Sequence, residues 1–239
     1  MSFLELKSVT KNFGGLRAVD HFSLDIREGS LNALVGPNGC GKSTLFNLIT
    51  GMLKPDSGQV IFNDKDITGG APHKIARLGI GRKYQVPAIF EELTVRENLV
   101  IANTKGKNNA SLDDILAQIH LTDKSGKVAG ELAHGQKQWL EIGLLLAQSP
   151  ALILLDEPTA GMTGAETKAT ADLIHAINQE RHIAILVIEH DMGFIEHLAC
   201  PLHVMSKGSI LKSGNYRDIR DDLEVKALYF GQAQETANA

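Results

Sequence analysis

The chain has 239 residues, yet no apolar run approaches the ~18 residues that cross a bilayer as a helix. If it works at a membrane, it must dock on something else that spans it. Only two cysteines occur, Cys40 and Cys200. They make no disulfide framework, which points to a reducing compartment. No charge of one sign dominates: 24 basic residues stand against 28 acidic ones, a net charge of −4. Bulk electrostatics therefore give no reason to expect nucleic-acid binding. No leader pattern opens the chain; MSFLELKSVT alternates like a strand instead. Internal repeats, low-complexity tracts and coiled-coil heptads are also missing. What is present is 43% hydrophobic residues, enough to bury the core of one large α/β domain.

The first sixty residues read as short strands with tight turns: FLELKSVTKNF, AVDHFSLDIREG, SLNALVG and QVIFND. KSTLFNLITGML, Lys42 to Leu53, reads as a helix with apolar Leu45, Leu48, Ile49 and Met52. The middle changes character, with a polar NTKGKNNA loop and an amphipathic SLDDILAQIHL. ALILLDEP and HIAILVIEHD are continuous apolar strands flanked by helical patterns, which argues for a parallel central sheet with both faces covered. KGSILKSG reads as a hairpin and IRDDLEVKALYFG as one closing helix.

GPNGCGKST, spanning Gly36, Pro37, Asn38, Gly39, Cys40, Gly41, Lys42, Ser43 and Thr44, follows a strand and opens a helix. That context fits a phosphate-binding loop. Glycines let the backbone curl so that N–H groups point inward as an anion nest, and the helix start adds its positive end. Lys42 is placed to reach β- and γ-phosphates, and Ser43 to offer a hydroxyl to Mg²⁺. The Cys40 thiol is either a small group that fits or one made reactive by the loop's positive potential.

LILLDEP puts Asp156 and Glu157 at the carboxyl end of a buried strand, where α/β sheets hold ligands. An Asp there can hold Mg²⁺ through water, and the following Glu can orient or deprotonate an attacking water. His190 ends the second apolar strand and is expected beside Glu157, within reach of a γ-phosphate. Gln85, in GRKYQVPAIF, is uninformative alone. ELAHGQKQWLE places Ala133, His134, Gly135 and Gln136 at the start of a helix.

Phosphate loop, glutamine loop, signature, Asp-Glu strand and switch histidine occur in one order here. From about Leu4 to Gly231 the chain resembles the ATPase subunit of an ABC transporter. The resemblance implies a single domain over 1–239: a P-loop core with a mainly parallel sheet, an N-terminal antiparallel β subdomain, and a helical subdomain at about residues 86–150. It implies ATP and Mg²⁺ as ligands. Phe13 would stack on adenine, Gln85 would contact Mg²⁺ and sense a membrane subunit, and Glu157 would be the catalytic base. Leu132 to Gln136 would be the signature, with Ala133 and His134 departing from Leu-Ser-Gly-Gly-Gln. Ala160 to Thr163, AGMT, departs from the commoner Ser-Ala-Leu-Asp of the D-loop. Ala133 removes one hydroxyl donor to a γ-phosphate, and His134 either replaces it or is a tolerated side chain.

The implied assembly has two cassettes closing head to tail over two ATP molecules. The second cassette is a sister subunit or a copy of this chain. Two permeases and a solute-binding protein complete it, with no nucleic acid, on the cytoplasmic face of the membrane. GIGRKYQ, HGQKQWLEIG, DEPTAGMT and EHDMGFIE resemble the importer branch for branched-chain amino acids and urea. The HGQKQWLEIG and AGMT spellings look closest to the urea importer's first ATPase subunit. Competing readings are an ATPase for lipopolysaccharide export, a non-transport ABC ATPase, and a regulator that binds nucleotide without hydrolysis. The chain lacks the second cassette or coiled coil of the non-transport type, and Glu157 and His190 argue against the regulator.

Overall fold

The computed structural model describes residues 3–83, 88–103 and 111–228. Strand β1 (Leu4–Phe13) turns at Gly14 and Gly15 into its antiparallel partner β2 (Leu16–Ile26). Then come β3 (Leu31–Val35), helix α1 (Lys42–Ile49), β4 (Ser57–Phe62) and the short β5 (Lys65–Asp66). Strands β1, β2, β4 and β5 form one antiparallel sheet in the order β2-β1-β4-β5. The rest of the chain supplies α2 (Pro72–Arg77), β6 (Ile80–Lys83), α3 (Val95–Ala102), α4 (Leu112–Gln118), α5 (His134–Ala147), β7 (Leu152–Asp156), α6 (Gly164–Arg181), β8 (Ala184–Ile188), α7 (Met192–Leu198), β9 (Leu202–Ser206), β10 (Ser209–Gly214) and α8 (Tyr216–Asp221).

The second sheet runs β10-β9-β3-β8-β7-β6 and is parallel from β9 to β6, with β10 antiparallel at its edge. The unbroken apolar runs of β7 and β8 follow from burial on both faces. Ile153, Leu155, Ile185 and Val187 pack into one core with α5, α6 and α7. Leu152, Leu154, Leu186 and Ile188 pack into another, with α1 and the antiparallel sheet. Each such fully buried aliphatic contributes roughly 1.5–3 kcal/mol. Because β3, β8 and β7 are parallel neighbours, the segments after Val35, Ile188 and Asp156 leave the sheet at one edge.

Two expectations change in detail. The helix expected over Lys42–Leu53 ends at Ile49. There the Thr50 hydroxyl donates back to the Phe46 carbonyl at 2.8 Å, and Gly51 takes φ +73, where a Cβ would come within 2.1 Å of the Gly70 carbonyl oxygen. The single closing helix divides at Asp222, which leaves the helical region and accepts from the backbone N–H groups of Glu224 and Val225, starting a new helical run over 223–228. Helices α3, α4 and α5 lie within the stretch expected to be a helical subdomain; most of the polar NTKGKNNA loop lies outside the described residues. Among the described residues no helix is long and apolar enough to cross a membrane.

Candidate functional site

The loop after β3 is built for close backbone packing. Gly41 has φ +111, and a Cβ there would come within 2.2 Å of the Ala18 carbonyl oxygen, so neither the conformation nor the space admits a side chain. No side chain caps α1, which begins at Lys42. Its first N–H groups therefore face the loop as donors for an anion. Lys42 is buried, and its ammonium donates to the carbonyls of Gly36 (2.6 Å) and Pro37 (3.0 Å). A cavity of about 290 Å³ lies beside this loop, lined in part by Pro37, Asn38, Gly39, Leu16 and Arg17.

Cys40 answers one open question. Its thiol is buried 3.9 Å from the Lys42 ammonium. Burial pushes its pKa up, and the opposing pull of Lys42 is smaller. The positive potential of the loop does not make it a thiolate. Iodoacetamide is expected to label Cys40 in the folded protein far more slowly than in the urea-unfolded chain, with ATP turnover retained meanwhile. Fast labelling accompanied by loss of turnover would contradict this.

Strand β7 delivers Asp156 and Glu157 to the same sheet edge. Asp156 is buried, with Oδ2 3.3 Å from an Arg82 guanidinium nitrogen. Arg82 comes from β6 and also donates to Asn47 Oδ1 at 2.6 Å, so it braces the carboxylate against α1. Glu157 sits at φ +48, a left-handed conformation costly for a residue with a Cβ. Its N–H donates to the Ile188 carbonyl at 2.9 Å. The Glu157 carboxylate lies 3.6 Å from His190 Nδ1. His190 is mostly exposed, and its own N–H donates to Glu189 Oε2 at 3.0 Å.

Glu189 is a residue that the sequence reading missed. It is only 1% exposed, and its other oxygen accepts from the Thr159 N–H (3.1 Å) and hydroxyl (2.5 Å). One buried carboxylate thus ties the turn after Glu157 to the backbone of His190. The available signal was an acid closing an apolar strand directly before the histidine.

The signature stretch opens α5. Ala133 offers no capping oxygen, but Gln136 Oε1 accepts from the Ala133 N–H at 3.2 Å, which is half of a capping box. Gly135 is buried, and a Cβ there would come within 2.7 Å of Glu166 Oε1 on α6. Its lack of a side chain serves packing within this chain. His134 is not an idle side chain, since its Nε2 lies 2.9 Å from the Ala160 carbonyl oxygen.

Two charged residues of opposite sign were also missed. Lys83 ends β6, and Glu141 lies mid-way along α5. They form an ion pair at 3.3 Å with side-chain exposures of 4% and 5%. Glu141 Oε1 also accepts from the Ala88 N–H at 3.0 Å. Gln85 lies outside the described residues. Phe13, at the end of β1, is 46% exposed and is not among the residues lining the cavity by the phosphate loop.

Chemically, this edge offers an anion nest with a buried ammonium, a buried carboxylate, and a carboxylate next to an imidazole. Among the described residues no three or more His, Cys, Asp or Glu side chains cluster as a metal cage. The donor set is the Ser43 hydroxyl and the Asp156 carboxylate, oxygen ligands of the kind that hold Mg²⁺ together with substrate phosphates. The chemistry of these two oxygen donors suits that ion.

A model of the ABC transporter family matches residues 19–160. The chain is 34% identical, over 250 residues, to the high-affinity branched-chain amino acid transport ATP-binding protein BraF of Pseudomonas aeruginosa, covering 96% of this chain and 98% of that protein. Among solved structures it is similar to the ADP conformation of an ATP-binding cassette of an ABC transporter, with a TM-score of 0.87 and 32% identity over 97% of this chain and 99% of the other. It also matches the dimeric post-hydrolysis state of another cassette, bound to ADP and Pi, with a TM-score of 0.75 and 25% identity over 90% of this chain and 99% of the other.

Proposed function

Because the chain belongs to the ABC transporter family, we propose that it is the ATP-hydrolysing subunit of an importer, powering uptake of branched-chain amino acids through separate membrane subunits. The observation that carries the catalytic part is Glu157: a carboxylate held on a left-handed backbone at the end of β7, 3.6 Å from His190, at the edge shared with the phosphate loop. Both ATP binding and hydrolysis follow from the family. The residue roles are our assignment.

In this reading Gly36 to Thr44 wrap the phosphates of ATP with backbone N–H groups, and Lys42 exchanges its loop carbonyls for phosphate oxygens. Ser43, Asp156 and Gln85 would hold Mg²⁺, which supplies neutralisation of phosphate charge. Glu157 orients the attacking water and accepts its proton, while His190 donates to the γ-phosphate. Phe13 stacks on the adenine. Ala133, His134, Gly135 and Gln136 present the start of α5 to nucleotide on a second cassette, a sister subunit or a copy of this chain. ATP then favours the closed pair because it contacts both halves there, and hydrolysis removes that preference.

The membrane partner docks on the groove between α2, β6, α3 and α5, a cavity of about 340 Å³ lined by Ile75, Phe90, Ile101 and Leu144 among others. Its wall includes Lys83 and Ala88, which flank the Gln85 segment in the sequence. In this reading the chain works on the cytoplasmic face through two permeases fed by a solute-binding protein.

The spelling HGQKQWLEIG favours urea as a second reading of the solute. Radiolabelled uptake separates the two. A deletion strain is expected to lose leucine uptake and to regain it with the wild-type gene but not with Glu157→Gln. Loss of urea uptake with leucine uptake intact would transfer the assignment to urea. Intact uptake of both would remove the importer reading.

A further inference from the structure

The two places where the chain departs from its family's pattern, His134 in the signature and Ala160-Gly161 in the D-loop, touch each other. His134 Nε2 is 2.9 Å from the Ala160 carbonyl oxygen. A carbonyl only accepts, so Nε2 carries the hydrogen and donates it. Gly161 has φ +74, and a Cβ there would stand 3.2 Å from His134 Nε2. A side chain at 161 would thus crowd the imidazole as well as strain the turn.

The turn is continuous with the catalytic carboxylate. The Ala160 N–H donates to the Glu157 carbonyl at 3.2 Å, and the Met162 N–H to the Thr159 carbonyl at 3.1 Å. On the other side of the signature, the Glu166 carboxylate accepts from the Thr163 N–H (2.9 Å) and hydroxyl (2.8 Å), and its other oxygen occupies the space that a Cβ on Gly135 would need. The first turn of α5 is therefore held by the D-loop at His134 and by the start of α6 at Gly135.

We propose that His134 is a positioning residue, matched to Gly161, that ties the signature turn to the turn following Glu157 within one chain. The surface offered to the second cassette and the backbone that carries the catalytic carboxylate then move together. This deepens the reading of Glu157 as the catalytic base and rests on it. It also gives the signature histidine a role that needs no contact with nucleotide.

The test is steady-state ATP turnover by the full chain for wild type, Glu157→Gln, His134→Leu, His134→Gln, Gly161→Ala and the double variant His134→Leu with Gly161→Ala. His134 is exposed, so these variants are expected to fold, and circular dichroism checks it. Loss of one hydrogen bond of ordinary strength corresponds to about a fivefold fall. His134→Leu and Gly161→Ala are each expected to lower kcat by about that factor with KM for ATP unchanged. His134→Gln, whose amide nitrogen can donate from a similar position, is expected to keep kcat within about twofold. The double variant should fall no further than the more damaged of the two single ones, because the contact that both disturb can be lost only once. Wild-type kcat in His134→Leu, or losses that multiply in the double variant, would overturn the proposal. Equal turnover in wild type and Glu157→Gln would instead overturn the reading of the catalytic site, whatever the His134 variants do.

Discussion

Replacing Glu157 by glutamine lowers the turnover number for ATP by about 10²–10⁴-fold, the range that a positioned general base contributes, while KM for ATP changes little. Glutamine has the same shape and can occupy the same backbone site, because the φ of +48 is held by the N–H bond to Ile188 and by the β7–β8 ladder, not by the carboxylate. What is lost is the capacity to accept a proton from water and to attract the imidazole 3.6 Å away. Phosphate binding is untouched, since Lys42 and the α1 start follow β3, which lies two places from β7 across the sheet. Steady-state kinetics with saturating Mg–ATP measures this; turnover within twofold of wild type would reject Glu157 as the base.

The second large effect concerns stability. Glu141→Ala is expected to destabilise the chain by about 3–5 kcal/mol, because it leaves the Lys83 ammonium buried without its partner. Both groups are about 95% removed from water, so solvent screening does little to soften the loss. The same change also orphans the Ala88 N–H, which Glu141 Oε1 accepts at 3.0 Å. Removing both charges is another matter: buried ion pairs replaced by apolar groups of similar volume are often neutral in stability. Lys83→Met with Glu141→Leu is therefore expected to recover most of the loss. Urea unfolding at constant pH reads both variants. A single substitution costing under about 1 kcal/mol, or a double variant no better than the single one, would show that the pair is not the buried linkage described here.

The elements with strict periodicity were legible in the sequence. ALILLDEP and HIAILVIEHD read as strands buried on both faces, and β7 and β8 pack against a core on each side. The glycine-rich loop was legible because strand, loop and helix follow each other within a few residues. Less legible was anything that depends on what lies opposite. Leu53 was extended into α1 because apolar spacing continues there; the stop lies in Thr50 and Gly51, and in the Gly70 carbonyl that faces Gly51. The break at Asp222 was hidden because an aspartate serves equally well in a helix or at the start of one.

The same limit explains the site residues that were missed. Glu189, Arg82, Lys83 and Glu141 are charges in or next to buried elements, and their partners lie 30, 74 and 58 positions away along the chain. A sequence shows the charge but not its counterpart. His134 is the sharpest case. Read along the chain it is a tolerated side chain or a substitute donor to a phosphate. In three dimensions it bonds to Ala160, itself part of the other departure from the family pattern.

The central claim is that this chain holds two half-sites, each completed by a second cassette when ATP is bound. The most direct measurement is the mass in solution of the Glu157→Gln chain with ATP and with ADP. Light scattering would record it for the chain alone and for the chain mixed with any second cassette recovered with it from solubilised membranes. The account predicts a two-cassette particle in ATP, in one mixture or the other, that separates in ADP. Single cassettes in ATP in both mixtures would contradict it.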